Sequence, residues 1–360
     1  MNVVMRVDAS LDIGTGHVYR CLTLADALRG QGAECHFICR EHPGHLMALI
    51  AERGYPVHSL GEPAAVAAVG TLAHAQWLGC SQEQDASDCA ALLPSLRADW
   101  LVVDHYGLDA QWQAALQPHY GKLLVIDDLA DRAHLSDLLV DQNLGRTPQS
   151  YQGLVPSQSV LLTGPEYALL RPEFALLRSA SLQRRNQLAR PEQILVSMGG
   201  VDQPNATAHV LTALQDCALS QASHVRVIMG ATAPWIDEVR SLLQGLRFSS
   251  EVLVNVRDMA RLMAQSDLAI GAAGGSSWER CCLGLPTLLV TLADNQLPGA
   301  MALHEAKAAR WLGATDSIAQ RLAPAFDEVT QALGAFSQQA AGLCDGVGVE
   351  RVVAHMLGKK

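Results

Sequence analysis

The sequence predicts an α/β fold made of two Rossmann-like domains with parallel sheets. Three observations carry that prediction. Short apolar runs alternate with amphipathic stretches along most of the 360 residues. A unit of strand, glycine turn and helix start occurs at residues 6–21 and again after Gln193. The chain is also long for one hydrophobic core and suits two.

The opening unit, RVDASLDIGTGHVYRC, organises the first half. Val3 to Val7 forms a short apolar strand, Gly14-Thr15-Gly16 turns the chain, and a helix from Val18 to Arg29 places Val18, Leu22, Ala25 and Leu28 on one face. Glycine lets backbone approach a ligand, and the helix start offers unpaired N–H groups to an anion. His17 stands at the edge of that seat, where neutral imidazole suits a general base. The same residues also read as a plain tight turn followed by a structural histidine.

Further strands are expected at Glu34 to Cys39, Pro56 to Leu60, Trp100 to Asp104, Lys122 to Ile126 and Leu138 to Val140. An Ala-rich segment follows Pro56 to Leu60, the third strand of the chain. Trp100 to Asp104 is apolar nearly throughout, as a buried parallel strand requires. It delivers Asp104-His105-Tyr106 to the strand end where ligands gather in open α/β sheets. Asp127, Asp128 and Asp141 end the neighbouring strands; three acids there could hold a metal, but helix caps and sheet-end hydrogen bonds are the expected reading, with capping favoured. His42 and His45 flank Pro43-Gly44 and read as solvated loop residues rather than metal ligands.

The second half restarts at Gln193 to Met198, followed by Gly199-Gly200-Val201-Asp202 and a helix near Asn205. Strands are expected at His224 to Met229, Glu251 to Val256, Asp267 to Ile270 and Thr287 to Thr291. The segment SDLAIGAAGGSSWERCCLGLPTLLVTLADNQ places a loop of glycines and serines, Gly271 to Ser277, at a helix start. Amides and hydroxyls there suit a diphosphate. Glu279, one turn in, reads either as a ribose ligand or as a carboxylate favoured by the helix dipole. Cys281 and Cys282 read as packing residues.

A formal charge of −10 with 17% charged residues argues against nonspecific binding to nucleic acid or anionic membrane. The nine scattered cysteines form no C-x-x-C pair, the start lacks a signal-peptide core, and no apolar run reaches membrane-spanning length. The expectation is a cytoplasmic protein.

The run D-A-S-x-x-I-G-T-G-H-V-x-R-C-L-T-L-A, the D-H-Y at 104–106, GPEYALLRPEF, S-S-W-E-R and A-D-N-Q together resemble the UDP-sugar hydrolases of pseudaminic acid synthesis (PseG). The segment from Asn255 to Gln296 is also similar to the nucleotide half of MurG-type enzymes with the GT-B fold. The resemblance implies a GT-B-like pair of domains facing across a cleft: 1–170, a connection at 171–192, 193–335, and a C-terminal helix within 336–360 returning to the first domain.

It implies hydrolysis of UDP-2,4-diacetamido-2,4,6-trideoxy-β-L-altropyranose by inverting water attack at the anomeric carbon, without metal or cofactor. The product would feed flagellin or surface-polysaccharide glycosylation. His17 would be the catalytic base, aided by Asp104 and Tyr106. Val256 would lie near uracil, Ser276 and Ser277 near diphosphate, Glu279 on ribose, and Asn295 and Gln296 near the sugar. Gly14, Thr15, Gly16, Arg20, Gly199, Gly200, Asp202, Gly274 and Gly275 complete the expected substrate-binding set. Tyr167 and Arg171 read as a packed connection that could also reach ligand. The expected partner is the small UDP-sugar alone, with no nucleic acid or membrane, and the chain a monomer. The alternative is a MurG-like glycosyltransferase, using the same UDP site with a sugar acceptor.

Overall fold

The computed structural model describes residues 1–63, 70–186 and 188–359. The Ala-rich segment expected after the third strand falls at 64–69, outside the described residues. The chain divides into two compact units, Met1–Leu169 with Gly348–Lys360, and Leu170–Val347.

In the first unit β1 (Asn2–Val7) leads into α1 (Gly16–Gly30), β2 (Glu34–Cys39), α2 (Met47–Glu52) and β3 (Val57–Ser59). Then come α3 (Gln82–Leu96), β4 (Ala98–Asp104), α4 (Ala110–Leu116), β5 (Tyr120–Ile126), β6 (Leu138–Asp141) and β7 (Val160–Thr163). The seven strands form one parallel sheet in the order β3-β2-β1-β4-β5-β6-β7. The chain builds outward from β1 in one direction and then from β4 in the other. Their carboxyl ends therefore flank a crevice that no crossover helix fills. Val7 and Asp104 are register partners across that boundary, which brings residues 8–17 beside residues 104–106.

The second unit opens with α5 (Pro172–Arg185), then β8 (Gln193–Ser197), α6 (Ala206–Ala213), β9 (His224–Met229), α7 (Ile236–Leu243), β10 (Ser249–Val254) and α8 (Met259–Gln265). It continues through β11 (Leu268–Ala272), α9 (Ser276–Cys282), β12 (Thr287–Thr291), α10 (Leu297–Glu305), β13 (Arg310–Ala314), α11 (Ile318–Gln331) and α12 (Leu333–Leu343). Its parallel sheet runs β10-β9-β8-β11-β12-β13, so the order reverses between β8 and β11. There Ser197 pairs with Gly271.

The expected connection at 171–192 is mostly α5, and it packs within the second unit. Arg185, buried, donates to the carbonyls of Met263 and Ser266 at the end of α8 and of Leu283 after α9, at 2.7–2.8 Å. These carbonyls lie at helix ends, where the intrahelical ladder runs out, so the guanidinium ties the ends of two helices together.

The final helix, α13 (Gly348–Met356), belongs to the first unit. Val349, Val352, Val353 and Met356 join the core formed with Val18, Leu22 and Ala25 of α1. Gly348 has no room for a side chain, because a Cβ there would meet the Ala168 carbonyl oxygen at 2.5 Å. Among the described residues no helix is long and apolar enough to cross a membrane.

Candidate active site

At the end of β1 the chain turns through Ser10 to Gly14. The Ser10 hydroxyl accepts from the amides of Asp12 and Ile13, and the Ser10 carbonyl accepts from Gly14 at 2.9 Å. Gly14 needs its glycine, with φ of 78°. Thr15 provides no side-chain cap for α1, so the first-turn amides remain open to a ligand. Gly16 has open space where a Cβ would stand.

His17 is buried, and its Nδ1 lies 2.6 Å from Asp104 Oδ1. A carboxylate only accepts, so Nδ1 carries the proton, and the neutral form of the ring has its lone pair on Nε2. Asp104 is itself clamped by Arg20, whose Nε and Nη2 donate to the two carboxylate oxygens at 2.6 Å each. Burial alone would raise the Asp104 carboxyl, but the Arg20 guanidinium and His17 hold it well below the usual carboxylate range. The third nitrogen of Arg20, Nη1, reaches Asp128 at 2.8 Å. Arg20, expected to bind substrate, commits all three nitrogens to the carboxylates of Asp104 and Asp128.

Tyr106 completes the cluster. Its ring meets His17 edge-on with centroids 4.8 Å apart, and its hydroxyl donates to Asp128 Oδ2 at 2.6 Å. Burial and then Asp128 push this phenol up, so it stays a donor. Asp128 is not the cap that the sequence suggested, since its carboxylate takes side-chain donors. It accepts from Tyr106, Arg20 and Asn143. Asp127 and Asp141 accept from the loop amides of Ala130 and Asn143 rather than capping helices, and the Tyr151 hydroxyl, with one proton to give, lies within 2.8–2.9 Å of both carboxylates. Two further aromatics gather here without having been singled out. Trp77 stacks on Tyr106 at 5.5 Å and 22°, and His74 lies 4.5 Å from Trp77 and 5.3 Å from Tyr106. A Trp-bearing loop gave no sign in sequence of reaching a strand end remote from it.

His42 is not solvated. It is buried with Nε2 at 3.6 Å from Asp8 Oδ2, opposite His105 Nε2 at 3.5 Å, beside the buried Arg6–Asp85–Arg40 network. His105 Nδ1 accepts from the Gly107 amide, so its Nε2 bears the proton and faces the carboxylate. Among the described residues no group of three or more His, Cys, Asp or Glu side chains has metal-holding geometry. All nine cysteines are buried and unpaired. Cys21 donates its thiol toward Asp104 at 3.6 Å, and burial pushes the Cys281 thiol up to about 12.

In the second unit, Gly271 to Ser277 joins the end of β11 to α9. Gly274 and Gly275 have open space at the Cβ position. Ser277 is buried and Ser276 half-buried, both hydroxyls accepting from Arg280. Glu279 follows in the first turn, its carboxyl raised by burial against the opposing pull of Arg171 and Arg280. Arg171 donates to the Arg257 carbonyl, next to Val256 after β10. Asn295 is exposed, while the Gln296 side-chain oxygen is committed to the Leu292 amide at 2.9 Å. Gly199, with φ of 86°, and Gly200 turn the chain after β8. Asp202, expected on substrate, is buried and accepts from the amides of Ala206 and Thr207 at 2.9 Å. Its two oxygens serve first-turn amides of α6 beside the N-cap residue Asn205, whose own side chain accepts from the Ala208 amide.

Two parallel-sheet units, each with a glycine turn at its strand-order reversal, define a two-domain α/β protein of the GT-B-like class. Residues 194–341 match the glycosyltransferase family 28 C-terminal domain. The chain is similar to MurG of Acinetobacter baumannii, with a TM-score of 0.71 and 17% identity over 99% of both chains. It is 24% identical over 299 residues to a UDP-2,4-diacetamido-2,4,6-trideoxy-β-L-altropyranose hydrolase of Campylobacter jejuni, covering 82% of this chain and 93% of that one. An uncharacterized protein of Methanocaldococcus jannaschii is 25% identical over 301 residues, which are 82% of this chain and 56% of that longer protein.

Proposed function

We propose that this chain hydrolyses a UDP-sugar of the pseudaminic acid type, releasing UDP and a free 2,4-diacetamido-2,4,6-trideoxy-altrose. The observation that carries the reading is the His17–Asp104 couple. It leaves Nε2 as the basic atom at an uncapped helix start. The likeness to the Campylobacter hydrolase supplies the substrate.

In this reading the second unit holds the nucleotide. Loop 271–277 meets the diphosphate, Glu279 the ribose, Val256 the uracil, and Asn295 with the free amide of Gln296 the sugar. The first unit supplies the base. Water attacks the anomeric carbon, and His17 Nε2 takes a proton from it as the new C–O bond forms. The bond from that carbon to the diphosphate oxygen breaks, and its electron pair leaves with UDP. Configuration inverts. The Asp104 carboxylate stabilises the imidazolium that results, and donors on loop 271–277 stabilise the charge on the departing diphosphate.

A second reading is a glycosyltransferase, favoured by the family 28 match across β8 to α12. It shares the nucleotide site and replaces water by a sugar acceptor.

UDP release from the diacetamido-altrose nucleotide in H₂¹⁸O, with EDTA present, separates these readings. Heavy oxygen in the sugar, with a loss of ~10²-fold or more in His17→Ala, is the expected result. Heavy oxygen in UDP would mean attack at phosphorus and overturn the mechanism. Release only on adding an acceptor would make the transferase reading the correct one.

A further inference from the structure

Arg280 is a buried cation whose donors go to neutral oxygens rather than to a carboxylate. It is 2% exposed. Its Nη2 donates to the Ala272 carbonyl at 2.7 Å and to the Ser277 hydroxyl at 3.0 Å, and its Nη1 reaches the Ser276 hydroxyl at 3.3 Å. Nε is buried and has no hydrogen-bond partner. The guanidinium lies directly under the glycine loop. A Cβ on Gly271 would meet Nη1 at 2.5 Å and the Ser197 carbonyl oxygen at 2.9 Å. Gly271 therefore has to be glycine for the side chain to pass beneath it.

This arrangement is costly for the free protein. A buried charge with no carboxylate hydrogen-bonded to it is disfavoured, and burial draws the guanidinium down to about 10 against the smaller opposing pull of Cys281 and Glu279. Arg184 shows the usual solution in the same unit, pairing with Asp267. Arg280 has no such relief. What it has is a fixed position at the end of β11, where it accomplishes two things. Because each serine oxygen accepts from the guanidinium, each hydroxyl proton is turned away from it and is free to donate elsewhere. The positive charge also raises the potential over the loop, where low dielectric makes it count for more than in water.

We propose that Arg280 is a positioning residue that primes loop 271–277 for a dianionic diphosphate, by orienting the Ser276 and Ser277 hydroxyls as donors and leaving a positive charge for the ligand to neutralise. The inference rests on the nucleotide reading of this loop and deepens it. Arg280 acts through the serines and through its field, and it does not touch the ligand.

The test compares UDP, UMP and uridine binding to the full chain by calorimetry, for wild type, Arg280→Gln and Arg280→Lys. Arg280→Gln is expected to lose at least ~10-fold in UDP affinity, less in UMP, and under ~2-fold in uridine, with Arg280→Lys recovering part of the UDP loss. A purely structural role would weaken all three ligands alike, and that outcome, or an unchanged UDP affinity, would overturn the proposal. Should Arg280→Gln fail to fold, Ser277→Ala reads the same selectivity, with a UDP-specific loss expected and equal losses counting against it. Wild type that binds neither UDP nor uridine would defeat the nucleotide reading, and the role of Arg280 with it.

Discussion

His17 Nδ1 and Asp104 Oδ1 stand 2.6 Å apart although 87 residues separate them in the chain. The pairing follows from β1 and β4 being neighbours with Val7 opposite Asp104. It sets the tautomer of the proposed base. Asp104→Asn would present an amide in place of an acceptor-only carboxylate, letting Nδ1 become the acceptor and Nε2 carry the proton. Turnover is expected to fall by ~10²-fold or more with KM within a few-fold of wild type. Steady-state kinetics on the diacetamido-altrose nucleotide checks this, and an unchanged kcat would remove Asp104 from the mechanism.

Arg20 holds Asp104 by a two-pronged contact that lysine cannot reproduce. Arg20→Lys keeps the charge and loses the fork. It is expected to lower the melting temperature by several degrees and kcat by about tenfold, while UDP binding stays as in wild type. A selective loss of UDP affinity would instead return Arg20 to the ligand-binding set.

Trp77 offers an apolar face beside Tyr106 and His17. A sugar bearing a methyl and two acetamido groups would lie against such a face. Trp77→Ala is expected to raise KM for the sugar nucleotide about tenfold and to leave inhibition by UDP unchanged. Equal effects on both would assign Trp77 to packing alone.

Acid should weaken the first unit through His105 and His134, which burial draws down to about 3 and about 4. The unfolded chain takes up these protons below about pH 6.5, whereas the folded chain refuses them until much lower. Stability is therefore full above pH 6.5 and declines as the pH falls toward 4. Asp141, pushed up to about 7 by burial and Asp128, works in the opposite sense and offsets part of the loss. His134→Gln should reduce the slope of unfolding free energy against pH between 6 and 4.5 by up to about 1.4 kcal/mol per pH unit. Denaturant titrations across that range measure it, and an unchanged slope would contradict the assignment.

Asp202→Ala leaves two first-turn amides of α6 without their acceptor and should cost about 1 kcal/mol of stability. UDP affinity should change less than twofold in calorimetry. A larger change would restore the ligand role that the glycine turn before it suggested.

Much of this protein was legible from sequence because parallel strands buried on both faces are written as continuous apolar runs. WLVVD, ECHFIC and TLLVT announce β4, β2 and β12 without help from the rest of the chain. The edge strands β7 and β13 escaped notice because an edge has less apolar surroundings, and VLLT and RWLGA carry exposed or polar positions accordingly. The G-T-G-H turn and the Gly271–Ser277 loop were visible as places where backbone can meet a ligand.

Which charged side chains serve those places was decided by tertiary structure alone. Arg20, Asp128 and Asp202 have the same chemistry on paper, each a charged residue near a strand end or a glycine turn. Folding directs Asp202 onto two helix amides and joins Arg20 to Asp104 and Asp128. It also takes Arg280 underneath a loop that only glycine leaves open. The apolar period of a segment is a local property, set by burial along one element. The partner of a charge depends on distances across elements, which exist only once strand order and register are fixed.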